Sequence, residues 1–180
     1  MTKYFAFLRA INVGGHTVKM DHLRQLFESL GFSGVETFIA SGNVIFDAKL
    51  TEPRILETKI EAGLKEPLGY EVATFIRTGA ELADIAAYKP FKQSAMDTAA
   101  ALNIALLAEG IDDSSVRMLM ALRSDIDDFH VHQREVYWLC LKKQSESTFS
   151  NAVLERTLGR PSTLRGVNTI RKIVEKYASG

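Results

Sequence analysis

The sequence holds one cysteine, Cys140, among 180 residues, so no disulfide can form within the chain, and a reducing, cytosolic setting is expected. Net charge is missing as well. The 22 basic residues balance 22 acidic ones, which argues against a surface that is wholly a nucleic-acid footprint. No apolar window of about 18 residues occurs, so no membrane-spanning helix is expected. Nor does the chain open on a basic stretch, an apolar run and a small-residue cleavage site, so a secretory signal is not expected. What is present is a globular composition: 46% hydrophobic and 24% charged residues are too apolar for disorder and suffice for one domain or two small ones. Charge is uneven locally, acidic from Glu109 to Asp128 and basic from Arg156 to Lys176.

Periodicity divides the chain into two similar runs. Tyr4 to Leu8 is a compact apolar run that predicts a buried strand. A polar, Gly-containing loop follows, and Met20, Leu23, Leu26, Phe27 and Leu30 then recur at helical spacing, closed by Gly31. Val35–Ala40 and Val44–Asp47 predict two strands around Gly42-Asn43, where Gly suits the first position of a type II′ turn. Pro53 sits in the first turn of the next helix, with Thr51 as the expected cap. Glu71–Arg77 predicts a fourth strand, and Thr78 with Glu81 has capping-box spacing for a helix to about Tyr88.

After a polar stretch, 89–98, without apolar periodicity, the order repeats. Ala101–Leu107 predicts a buried strand, and Asp112 or Asp113 caps a helix. Phe129–Gln133 and Val136–Leu141 form a hairpin around Arg134-Glu135. Phe149 to Leu158 is a helix ended by Gly159. Pro161–Arg165 is an edge strand, and a last helix starts near Thr169. The expected fold is α+β, a tandem duplication of ferredoxin-like (βαββαβ) halves, each followed by an extra helix. The halves span 1–88 and 99–180, with 89–98 as a linker. In such a unit the first two strands run parallel, so the loop 9–19 and the turn Ser41-Gly42-Asn43 should meet at one end of the sheet.

Several segments carry a family resemblance. They are Phe7-Leu8-Arg9-Ala10-Ile11-Asn12-Val13-Gly14-Gly15, Val18-Lys19-Met20, Thr37-Phe38-Ile39-Ala40-Ser41-Gly42-Asn43-Val44 and Arg134-Glu135-Val136-Tyr137. Ser150 to Glu155 and Thr163 to Lys172 continue it. Together they resemble the bacterial domain-of-unknown-function family 1697, and the resemblance implies a duplicated ferredoxin-like fold with no assigned activity. The chain departs from the family where Ala10 replaces a glycine, where Arg165-Gly166-Val167-Asn168-Thr169 replaces an Arg-Asn-Trp-Asn-Thr run, and where Thr148 replaces a lysine. If those side chains bind a ligand in relatives, the resemblance implies weaker or different binding here.

Candidate chemistry is sparse. Gly14, Gly15 and His16 between a strand and a helix, with Arg9, Asn12 and Lys19 beside them, suit an anion, since backbone N–H groups and a helix N-terminus favour negative charge. No nucleotide-binding motif is matched, and a loop needing positive φ twice explains the glycines equally well. Ser41 lacks the setting of a nucleophile, while Ser41, Gly42 and Asn43 can complete the anion site as a turn. Around the last helix, Arg165, Asn168, Thr169 and Lys172 can grip an anion, although Asn168 is also a natural cap. Asp128, His130 and His132 share a strand face but form too short a pattern to assign a metal. Cys140 reads as a core residue.

The expected function is therefore binding of an anionic ligand (a nucleotide, a phosphorylated metabolite or an RNA end) at the loops after the first strand. Two other classes stand beside it: an enzyme acting on a small acidic metabolite in the same cleft, and a structural or partner-binding protein. No catalytic residue and no cofactor is specified.

Overall fold

A computed structural model describes residues 1–12, 15, 17–39 and 42–178. Among them are two four-stranded antiparallel sheets and seven α-helices. The chain divides into two compact units, Met1–Ala83 with Lys176–Gly180, and Asp84–Glu175.

The first unit holds β1 (Thr2–Leu8), α1 (Met20–Ser29), β2 (Ser33–Thr37), β3 (Asn43–Ala48), α2 (Pro53–Leu68) and β4 (Thr74–Thr78), and α3 (Gly79–Ala87) begins in it. Its strand order is β2-β3-β1-β4. Alternation decides the core: Tyr4, Ala6 and Leu8 of β1 point to the same side as Val44 and Phe46 of β3 and join Phe27, Ile60 and Leu64 from the helices. Phe46 is fully buried, with the Phe32 ring 4.4 Å away and Phe27 at 5.6 Å. Phe5 and Phe7, on the other face of β1, are buried too.

The capping box at the start of α3 forms as the spacing predicts: Glu81 Oε2 accepts from the Thr78 N–H at 2.8 Å, and Thr78 Oγ1 accepts from the Glu81 N–H at 3.2 Å. Two expectations in this unit are corrected. Thr51 does not cap α2; Glu52 holds that position, and the Thr51 hydroxyl donates to the Lys49 carbonyl while its backbone N–H and C=O both bond the Tyr4 hydroxyl. The β2–β3 connection is longer than a two-residue turn. β2 ends at Thr37, and pairing resumes where the Asn43 side chain donates back to the Phe38 carbonyl at 3.0 Å. Asn43 is thereby a buried strand residue rather than a turn residue.

The second unit holds α4 (Gln93–Thr98), β5 (Ala101–Leu106), α5 (Asp113–Met120), β6 (Asp127–His132), β7 (Glu135–Cys140), α6 (Asn151–Leu158), β8 (Thr163–Gly166) and α7 (Val167–Ile173). Its order is β6-β7-β5-β8, the same arrangement of first-to-fourth strands as in the first unit. Ala105, Leu119, Phe129, Val136, Trp138, Phe149 and Leu154 form its core. Asp127, buried at the start of β6, accepts from Trp138 Nε1 at 2.8 Å and from the Ser147 hydroxyl at 2.7 Å. Asp112 caps α5 through the Ser115 N–H at 2.8 Å, and β8 is an edge strand paired only with β5.

Three details differ from expectation here. The 89–98 stretch contains α4, a helix with no buried residue, which explains the missing apolar period. The β6–β7 turn is Gln133-Arg134, one residue earlier than expected, with Gln133 taking the positive φ of 52°. Asn168 is not a cap: α7 begins at Val167 with Gly166 in the capping position. The helix starts earlier because β8 runs straight into it, which leaves the Asn168 side chain inside its first turn.

Candidate functional site

At the end of the first sheet the two expected loops do meet: Ile11 and Asn12 line one small cavity with Gly42 and Asn43, and beside it the Leu8 N–H donates to the Gly42 carbonyl at 2.9 Å. Chain geometry requires this, because β1 and β2 both pair antiparallel to β3 and so run in the same direction. Several of the described polar groups there bond within the fold, although Asn12 and Lys19 are exposed. Asn12 Oδ1 accepts from the Val18 N–H at 2.8 Å, the Asn43 amide is spent on Phe38, and the Tyr70 hydroxyl donates to the Ile11 carbonyl at 2.7 Å. Lys19 precedes α1 as its cap residue and makes no side-chain capping bond. Between Ile11, Asn12, Met20, Ile39 and Gly42 is a cavity of about 10 Å³, space for no more than one water. Gly14, His16 and Ser41 lie outside the described residues, and Gly15 is described with φ 83°.

Ala10 has φ 49°, a left-handed backbone that costs an L-residue about 1–2 kcal/mol. The position where the family resemblance places glycine thus has a backbone reason for it. Ala10→Gly is expected to stabilise the protein by about 0.5–1 kcal/mol, because relief of that cost exceeds the extra unfolded-state entropy of glycine. Urea denaturation of the two proteins checks it.

Among the described residues the second unit has more room. A cavity of about 590 Å³ lies among the end of α3, α4, the start of β5 and the start of α7, within the range of about 300–1,000 Å³ typical of small-molecule sites. Asn168 and Thr169 line it, and so do Lys89, Asp97, Asn103 and Arg171. Arg171 follows Asn168 by three residues on α7, which puts both on one helix face. Asn103 is the exceptional member. It sits in β5 opposite Gly166 of β8, is only 8% exposed, and its side-chain nitrogen is buried with no hydrogen-bond partner. A buried unpaired amide nitrogen costs about 1–3 kcal/mol, so its presence at a cavity wall calls for an explanation. The side chains of Asn168, Thr169 and Arg171 make no hydrogen bond or ion pair among the described residues.

The remaining sequence candidates fall elsewhere. Arg165 is buried and pairs in register with Ile104, so it points to the opposite face of the sheet from Asn103. Its Nη1 donates to Thr163 Oγ1 at 2.7 Å and to the Leu164 carbonyl at 2.8 Å, and burial lowers its pKa to about 10. Lys172 is exposed and does not line the cavity; its neighbour Arg171 does. His130 and His132 face a tyrosine: the Tyr88 hydroxyl is 2.7 Å from His130 Nε2, and its ring stacks on His132 with centroids 4.0 Å apart. Burial, and then the neighbouring His132, lower the His130 pKa. Cys140 is fully buried in β7, and burial raises its thiol pKa, as suits a core residue. A second cavity of about 510 Å³ adjoins Ser124 to Asp128, but its buried carboxylate, Asp127, is already occupied by Trp138, Ser124 and Ser147.

These observations define an α+β chain of two alike four-stranded units, one of which carries a polar cavity. It belongs to the DUF1697 family, described as proteins of unknown function, whose model matches residues 1–137. The fold is similar to that of the conserved bacterial protein SP0830 from Streptococcus pneumoniae, with a TM-score of 0.76, 23% identity and 97% of each chain covered. No curated protein matches the sequence. Among the described residues no helix is long and apolar enough to cross a membrane.

Proposed function

We propose that the protein binds a small organic anion, and that the second unit's cavity is the site. The observation that carries this is Asn103, a buried amide whose nitrogen lacks a partner, in the wall of a cavity that also presents Arg171 and Lys89. A ligand acceptor would satisfy the amide, and the two cations would balance a phosphate or carboxylate. Among the described residues the first unit's converging loops line a cavity of only about 10 Å³, so the second unit's cavity is the better supported site for the same anion. An RNA end is not favoured either, since Tyr4, Phe5 and Phe7 are buried and β1 offers no aromatic platform. We also read the two units as duplicated ferredoxin-like halves, each followed by an extra helix; their common strand order supports it.

Thermal unfolding with a panel of inorganic phosphate, nucleoside monophosphates and dicarboxylates tests the site. At least one anion should raise Tm for the wild type, by stabilisation of about 2.7 kcal/mol at a hundredfold excess over Kd, and Arg171→Glu should cut the rise to about half or less. Equal rises in both proteins, or none with any anion, contradict the proposal.

A further inference from the structure

Resting on that assignment of the cavity, we infer that its ligand is a nucleotide, with Asn103 reading the edge of the base and Arg171 and Lys89 holding the phosphate. The lining calls for a ligand of three parts. The first is a group with a donor and an acceptor side by side. The Asn103 side-chain nitrogen is buried without a hydrogen-bond partner, and the exposed Asn168 side chain makes no hydrogen bond among the described residues. A carboxamide presents a donor and an acceptor at the spacing of a base edge and pairs with it bidentately.

The second part is an anion. Lys89 and Arg171 outweigh Asp97 among the charged residues lining the cavity, and a guanidinium matches phosphate geometry with two parallel bonds. The third is a flat apolar surface. Met96 from α4 and Val167 from α7 line the same space, and both suit a ring face, methionine through its polarisable sulfur. Inorganic phosphate would use only the cations and leave the Asn103 amide unpaired. An aliphatic acid would fill the volume but leave the buried Asn103 nitrogen without a partner. A heterocyclic base carried on a phosphate uses all three walls, and a cavity of about 590 Å³ has room for a nucleoside monophosphate.

Isothermal titration of the full chain with AMP, GMP, CMP and UMP, with the matching nucleosides, with inorganic phosphate and with a dicarboxylate tests this. One nucleotide should bind about tenfold or more tighter than its nucleoside and than phosphate, because base and phosphate contacts act together. Arg171→Glu should weaken the nucleotide by about tenfold while leaving the nucleoside nearly unchanged. Asn103→Leu should erase the preference among bases, since a bidentate amide contact discriminates by about tenfold or more; should that variant misfold, Asn103→Asp keeps the shape, loses the donor and should change which base is preferred. Phosphate or a dicarboxylate binding as tightly as any nucleotide would overturn the nucleotide assignment and leave the anion site standing. Binding of none of these would overturn both.

Discussion

Glu57→Ala is expected to destabilise the protein by about 2–3 kcal/mol, mostly through one lost acceptor. Glu57 lies in α2 with its side chain 1% exposed, and its Oε1 accepts from the Ile76 N–H at 3.0 Å while Oε2 receives Arg54 Nη1 at 3.1 Å. Ile76 is in β4, which pairs on one side only, with β1. Its outward N–H would be orphaned at a buried edge, and Glu57 supplies the acceptor that a neighbouring strand would otherwise provide. The ion pair contributes little, because the Arg54 side chain is 62% exposed and regains water when its partner is removed. Glu57→Gln therefore separates the two contributions. It keeps an oxygen for Ile76 and should cost less than about 1 kcal/mol. Urea denaturation of the three proteins reads both values; equal losses in the two variants would mean that the charge, rather than the acceptor, stabilises this edge.

Asn103→Leu is expected to act in the opposite direction. Replacing the unpaired amide by an apolar group of similar size should stabilise the unliganded protein by about 1–2 kcal/mol, since an orphaned buried donor is removed and an apolar side chain replaces it. The stabilised variant should respond about half as strongly as the wild type to the anion that raises the wild-type Tm, because a contact worth about tenfold is lost. A residue that lowers stability at a cavity wall fits a binding role, in which the ligand supplies the missing partner. If Asn103→Leu is instead destabilised by a similar amount, the amide is satisfied in the free protein and its reading as a ligand contact fails.

Much of this architecture was legible in the residues. The run Tyr4–Leu8 and its counterpart from Ala101 announce the two central strands, and the Thr78/Glu81 box and Asp112 mark helix starts because local hydrogen bonding alone specifies them. Convergence of the Leu8 and Gly42 segments followed from topology. What stayed hidden depends on tertiary context. α4 buries nothing, so it leaves no periodic trace. Asn168 looked like a cap because the start of a helix was judged from its own side chain, whereas β8 hands the chain directly to α7 at Gly166. Asn103 lies within a run that is otherwise apolar. It is the one polar residue between Ala101 and Leu107, and a polar side chain in a buried strand is the signal that could have singled it out.

The cavity reading stands or falls on Asn103, and its side-chain amide can be observed directly. In a ¹H–¹⁵N spectrum of the full chain, the Asn103 NH₂ pair is identified as the one that Asn103→Leu removes. Titration with the anion that most raises Tm should shift that pair, together with the backbone signals of Asn168 and Arg171, and leave Arg9 to Lys19 and Asn43 in place. Shifts confined to the first unit's loops, with the Asn103 pair unmoved at saturation, would contradict it.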